Sequence, residues 1–263
     1  MSPADTAPPP PRLNRLRELW ARGACACGVI ATIPSVQTVQ LMARSGLDFM
    51  IIDMEHGPID LPSAHAMITA TGGTPLVPLV RVGGKDAWHA KAPLDLGAMG
   101  VCFPMTSTPA DAQAIVKAVR YPPAGERLWG PFFAPARWNL TMADYLAQAD
   151  DEVLAIGVLE SIDALDHVAA IARTPGLDVV FIGSGDLATS MGLRGRPEHP
   201  DVQATIAAFE KSISGASIVL GGVATSAEQA RAMQARGYRA LVLGVDGLLL
   251  QRGIGAALQG VRN

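Results

Sequence analysis

The chain has 263 residues, 49% of them hydrophobic and 17% charged, which supplies a large core and excludes a wholly disordered polymer. Its formal net charge is -3 with no block of like charges, so it lacks the basic stripe that a nucleic-acid or anionic-membrane partner requires. Cys25, Cys27 and Cys102 are too few and wrongly spaced for a disulfide framework or a zinc ribbon, and no apolar run is long enough to span a bilayer. Free thiols in a reducing cytoplasm are the expectation.

In chain order, MSPADTAPPPPR lacks the basic start and apolar core of a signal peptide, and its prolines predict a disordered tail over 1–10. One domain is expected over 11–263, opening with a helix near 11–22. Strands are predicted near 26–32, 49–53, 76–82, 100–105, 153–159, 178–183, 217–223 and 239–244, each followed by a helical segment. Four of them share an approach. Gly46-Leu-Asp leads into FMIID, Gly97-Ala-Met-Gly into VCFPM, Gly176-Leu-Asp into VVFIG and Gly237-Tyr-Arg into ALVLG. Each reads as a helix stopped by glycine, then a strand apolar at every position, hence buried on both faces.

The intervening segments carry helical spacing, as in Ala112, Ile115, Val116 and Val119, or Leu165, Val168, Ala169 and Ala172. Caps are expected at Ser107-Thr-Pro, Ser161-Ile-Asp and Ser226-Ala-Glu. The longest irregular stretch runs over 121–142, after strand four. A final helix is predicted near 246–260. Alternation of strand and helix to a count of eight predicts a parallel (β/α)₈ barrel of TIM type, with flanking N- and C-terminal helices. A doubly wound sheet is the alternative, because strand order is invisible in sequence.

In such a barrel the active site gathers at the C-terminal strand ends. There the chain carries Asp53-Met-Glu55-His56, Arg81, Glu160, Gly183-Ser-Gly185-Asp186, Thr225 and Asp246. Isolated charges are costly in strand interiors, so carboxylates at successive strand ends are normally paired or bound to metal. Glu160 and Asp186, one β/α unit apart, form a hard oxygen set suited to Mg²⁺ or Mn²⁺. Asp48 and Asp178 precede their strands and belong to the opposite, structural face. His65, His89, His167 and His199 fall on helices or loops, and His56 is the one histidine at a strand end.

At these residues the sequence resembles the 4-hydroxy-2-oxoheptanedioate and 2-dehydro-3-deoxyglucarate aldolases, metal-dependent pyruvate aldolases of the HpcH/HpaI aldolase/citrate lyase family. The resemblance rests on DFMIIDMEHGPID (48–60), PLVRV (78–82), PLDLGAMGVCFPMTST (93–108), RYPPAGER (120–127), VLESIDALDHVAAIA (158–172) and FIGSGDLATSMG (181–192). It implies that Glu160 and Asp186 hold Mg²⁺, Mn²⁺ or Co²⁺, and that Arg81 contacts the 2-oxo group and its enolate. It further implies that His56 and Asp95 act as a pair in proton transfer, that Asp53 and Glu55 surround that centre, and that backbone at Gly183 and Gly185 receives the substrate carboxylate. A small 2-oxo acid and an aldehyde are the implied partners, and a homohexamer, often built by exchange of C-terminal helices, is the implied assembly.

The chemistry agrees with these roles. Cleavage of a 4-hydroxy-2-oxo acid gives a pyruvate enolate whose charge needs a metal and Arg81, while the 4-hydroxyl proton needs a base near His56. No Schiff-base lysine is evident, since Lys85, Lys91, Lys117 and Lys211 fall in loop or helix segments. The chain departs from the family at Gly183-Ser184-Gly185, where a glycine-proline turn is familiar, and over LWGPFFAPARW (128–138). Trp129, Phe132, Phe133 and Trp138 in that segment either face the aldehyde half of the substrate or pack in a subunit interface. The alternatives for function are a related lyase or decarboxylase, a citramalate or acyl-coenzyme A lyase, and a silent barrel that binds a small acid.

Overall fold

The four apolar runs that follow the recurring glycines are among eight strands in the computed structural model, which describes residues 13–262. The eight are β1 (Ala26–Ala31), β2 (Phe49–Asp53), β3 (Val77–Arg81), β4 (Gly100–Phe103), β5 (Leu154–Leu159), β6 (Val179–Ile182), β7 (Val219–Val223) and β8 (Tyr238–Val245). All eight overlap the expected intervals. Gly46, Gly97, Gly176 and Gly237 all take positive φ, as a glycine stop before a strand requires. The expected tail over 1–10 lies outside the described residues.

Neighbouring strands pair in parallel in sequence order, and β8 returns to β1. That closure excludes the doubly wound alternative and makes the fold a (β/α)₈ barrel. The interior is filled by rings laid over glycines. A Cβ at Gly28 would lie 2.4 Å from the Phe49 ring, and one at Gly221 would lie 2.5 Å from that of Phe181. Any larger residue at either position would expel an aromatic ring from a close-packed core.

The helices that cover the barrel start where polar caps were read. Thr108 and Asp111 form a capping box on the helix Pro109–Val119, and Ser226 caps Ala227–Ala235. The segment after β5 is more broken than its spacing suggested, a 3₁₀ turn at Ile162–Ala164 and one helical turn at Val168–Ile171. The stretch expected to be irregular after β4 holds a short helix, Ala134–Trp138, before the helix Met142–Glu152.

The N-terminal helix Arg15–Ala21 floors the barrel. Leu16 is 1% exposed and, with Trp20, adjoins the interior residues Phe49, Ile51 and Phe181. Trp20 donates from Nε1 to the Arg239 carbonyl in β8 at 2.9 Å. Asp48 and Asp178 lie on this face with structural partners, Arg15 at 3.2 Å for the first, Arg17 at 2.8 Å and Arg120 at 3.1 Å for the second. The C-terminal helix Asp246–Arg262 starts at the other end, where the Asp246 carboxylate accepts from Thr32 N, Thr32 Oγ1, Ile33 N and Gly247 N. Beyond that anchor, Leu248, Leu250, Ile254 and Val261 are exposed. Among the described residues no helix is long and apolar enough to cross a membrane.

Candidate active site

A cavity of about 310 Å³ opens at the C-terminal ends of the strands and is lined by His56, Arg81, Glu160, Gly183, Gly185 and Asp186. Its walls are apolar, from Ile51, Val158, Phe181 and Val223 among others. Strand parity places them there. Ile51 stands two residues before Asp53 and Val158 two before Glu160, so each apolar residue shares its strand face with a carboxylate at the rim, while Phe181 stands two before Gly183, which leaves room beside Glu160.

The polar side of the mouth is organised by Asp53, 1% exposed at the end of β2. Register places Asp53 opposite Arg81 on β3, and Arg81 opposite Cys102 on β4. The guanidinium donates from Nε to Asp53 Oδ1 at 2.9 Å and from Nη2 to Oδ2 at 2.6 Å. Arg81 Nε also lies 3.3 Å from Glu55 Oε2. Burial works against an ionised Asp53, but the hydrogen bonds and charge of Arg81 win and hold the carboxyl below its ordinary range. Nη1 of Arg81 has no protein acceptor among the described residues, which leaves one edge of the fork for a ligand. Asp53 Oδ1 also accepts the amides of Glu55 and His56, at 3.1 and 3.3 Å, so one carboxylate fixes both the arginine and the loop that carries the histidine.

Glu160 is 3% exposed at the end of β5. Its Oε1 accepts the Met105 amide at 2.6 Å. Met105 reaches that position with φ 53, a left-handed conformation unusual for a residue with a side chain. Oε2 faces the room kept by Gly183, where a Cβ would stand 3.0 Å from it. Burial raises the Glu160 carboxyl to about 7, with the Met105 amide opposing and the Asp186 and Glu55 charges adding. Asp186 lies in the first turn of the helix Ser184–Ser190 and is exposed.

Neither Glu160 Oε2 nor the Asp186 carboxylate accepts a hydrogen bond among the described residues. A buried carboxylate with one oxygen held and the other open, beside a second carboxylate, fits a hard divalent cation whose remaining ligands are water and substrate oxygens. Among the described residues no group of three or more histidine, cysteine or acidic side chains makes a complete metal cage.

Two implied contacts differ from expectation. The Gly183 amide is committed to the Leu159 carbonyl at 3.0 Å, so it is not available to a substrate carboxylate. The amides of Ser184 and Gly185, in the first helical turn, have no acceptor within the helix. Asp95, implied as the partner of His56, does not meet it within the chain. His56 is exposed, with Nε2 3.6 Å from Glu55 Oε2. Asp95 instead accepts from Arg127 Nη2 at 3.0 Å and lines a separate cleft with His65, Trp88, Lys91 and Phe133.

Arg127, in the matched RYPPAGER stretch, was not singled out by sequence. Its side chain is fully buried, donates to Tyr145 Oη and lies 4.5 Å from the centre of the Tyr121 ring, so Asp95 is held by a fixed cation. The 128–138 aromatics follow Asp95 rather than the mouth. Trp129, Phe132 and Phe133 are more than half exposed on that outer face, and Trp138 is buried against Tyr145. Within the chain they do not line the mouth cavity.

Comparison with known proteins places this geometry. The family model HpcH/HpaI aldolase/citrate lyase matches residues 33–252. The chain is 35% identical over 243 residues to a hydroxypyruvate/pyruvate aldolase of Pseudomonas aeruginosa, covering 92% of this chain and 90% of that protein. It is 34% identical over 241 residues to a 4-hydroxy-2-oxo-heptane-1,7-dioate aldolase of Klebsiella pneumoniae subsp. pneumoniae, covering 91% of each. A solved HpcH/HpaI aldolase/citrate lyase family protein from Burkholderia cenocepacia J2315 superposes with a TM-score of 0.89 at 33% identity, over 95% of this chain and 100% of the other.

Proposed function

The chain belongs to the HpcH/HpaI aldolase/citrate lyase family and is a carbon–carbon lyase of aldolase type, and we propose that it cleaves 4-hydroxy-2-oxo acids to pyruvate and an aldehyde. The observation that carries this reading is the convergence of Glu160, Asp186 and the open edge of Arg81 on one cavity. Glu160 and Asp186 would hold the divalent cation, Mg²⁺ or Mn²⁺ by the hardness of their oxygens and Co²⁺ by resemblance. When bound, it supplies Lewis-acid polarisation of the 2-oxo group.

The residues of the chain do the rest. Arg81 Nη1 donates to the 2-oxo oxygen, where negative charge gathers as the bond between C3 and C4 breaks. Asp53 keeps the guanidinium aimed there. The first-turn amides at Ser184 and Gly185 receive the substrate carboxylate, and the apolar walls exclude water from the enolate. His56 takes the 4-hydroxyl proton as the aldehyde forms, and a proton returns to C3 to give pyruvate.

Asp95 completes this site from a second copy of the chain. It makes no contact with its own His56 among the described residues, and Arg127 holds it at an outer cleft lined by exposed Trp88 and Phe133, with the exposed Trp129–Phe132 ring pair on the adjoining segment. A contiguous apolar face of that kind marks an interface. A symmetric assembly, a hexamer by resemblance, would carry each Asp95 to a neighbour's mouth. Free thiols at all three cysteines fit a cytoplasmic setting.

Two assays test the proposal. Chelated protein should release no pyruvate from a panel of 4-hydroxy-2-oxo acids until Mg²⁺, Mn²⁺ or Co²⁺ is added. Undiminished turnover by a chelated Glu160→Ala, Asp186→Ala double variant would sink it. Separately, inactive His56→Ala and Asp95→Ala chains, refolded together, should recover activity, because mixed assemblies contain sites with both groups intact. No recovery in verified hybrids would reject the shared site.

A further inference from the structure

The aldolase chemistry leaves one reactive motif unused. Cys25-Ala26-Cys27 enters β1 at the floor of the barrel, the end opposite the mouth. A single residue separates them, so covalent geometry alone keeps their Cα atoms within about 7 Å. Both thiols are half-buried, neither sealed in the core nor wholly in solvent.

Their backbones are held differently. Cys27 is in the strand, paired with Leu241 of β8, and its amide donates to Asp48 Oδ2 at 2.9 Å. Cys25 precedes the strand and its Sγ lies 3.7 Å from the Ala26 carbonyl. Cys27 is therefore a fixed sulfur and Cys25 an adjustable one.

We propose that Cys25 and Cys27 form a thiol–disulfide exchange site for low-molecular-weight disulfides of the glutathione class, with Cys25 attacking and Cys27 resolving. The Cys25 thiolate attacks one sulfur of the disulfide, forming a mixed disulfide and expelling one thiolate. Cys27 then gives up its proton and attacks Cys25 Sγ, expelling the second thiolate. The cysteines lose two electrons, the small disulfide gains them, and two small thiols leave once protonated.

The acidities agree with that division of labour. The hydrogen bond from Cys27 brings the Cys25 thiol down to about 7 against the cost of burial, with Gln234 and Arg239 helping. Cys27 is pushed up, first by its bond to Cys25 and then by burial, so it keeps its proton until the mixed disulfide forms. Cys102 does not compete, being 2% exposed in the mouth wall and raised to about 12 by burial.

The test uses the whole chain and oxidised glutathione. After alkylation in denaturant and trypsin digestion, both cysteines lie in one peptide, residues 23–44, which excludes Cys102. That peptide should be lighter by two hydrogens and unalkylated, and the three titratable thiols should fall to one. Cys27→Ser should stop at a glutathione adduct on Cys25, and Cys25→Ser should react roughly tenfold more slowly, in proportion to its smaller thiolate fraction. Pyruvate release should survive oxidation and both substitutions, which also reports that the variants fold. Three alkylated cysteines, a stable adduct on the unsubstituted chain, or Cys25→Ser reacting at the original rate would each overturn the assignment.

Discussion

Asp53 binds Arg81 through both of its oxygens and two loop amides through one of them, so much of the mouth depends on one carboxylate. Asp53→Asn keeps the shape but turns an amide group toward the guanidinium. Breaking a buried pair from one side costs about 3–5 kcal/mol, to be read in thermal unfolding, with a loss in kcat/KM as well. Because the folded Asp53 carboxyl is held below its ordinary range, the stability gap between the two proteins should be full above pH about 4 and close as pH falls further. A gap that grew on acidification would contradict the pairing. Arg81→Lys should lower cleavage and aldehyde-free enolisation of pyruvate together, by roughly 10²–10³-fold, because an ammonium cannot meet Asp53 and substrate at once. Met105 tests backbone strain directly. Left-handed φ costs about 1–2 kcal/mol for a residue with a Cβ, and the chain entropy of glycine takes back roughly 0.5–1 kcal/mol, so Met105→Gly should raise the melting temperature by about 2 °C. The Met105 amide remains to hold Glu160, and metal affinity measured by calorimetry should hardly change.

At the level of elements, the strands were legible because burial on both faces writes an unbroken apolar run, and glycine marks the approach to four of them. Strand ends were legible for the same reason, since a charge closing such a run, as Asp53, Arg81 and Glu160 do, stands at the rim. The apolar lining was also within reach, through the two-residue parity that links Ile51 to Asp53 and Val158 to Glu160. Other parts left no local trace. The Met105 contact to Glu160 is made by an amide, which any residue but proline supplies. Gly183 loses its amide to Leu159 through sheet pairing that sequence does not display. The direction of the segment after β4 is set by Arg127, Trp138 and Tyr145 packing at long range, so its aromatics could be read as pocket or interface. Their place beside Asp95 favours the interface. Trp129→Ala and Phe133→Ala should weaken association in sedimentation velocity and lower turnover on all aldehydes alike. A changed ranking of aldehydes with unchanged association would return those rings to a substrate pocket.

For the whole molecule, the C-terminal helix is the element least accounted for by its own chain. It is anchored at Asp246 and then presents Leu250 and Ile254 to solvent. Leu250→Glu combined with Ile254→Glu should therefore shift the protein to smaller species by light scattering. Pyruvate release should fall with it, while Mn²⁺ affinity stays, because Glu160 and Asp186 come from one chain. Unaltered mass would show that this face is not used in assembly. The barrel floor bears on a different event, the making of the protein. The helix that closes the floor leaves the ribosome long before its acceptor, because the carbonyl that receives Trp20 belongs to Arg239, 219 residues later. Until β8 is released, β1 has no second neighbour and Trp20 no acceptor, so the nascent chain holds an open sheet edge up to that point. Chains that stall before Tyr238 should accumulate as aggregates, whereas release of the last strand seals the edge and the floor in a single step.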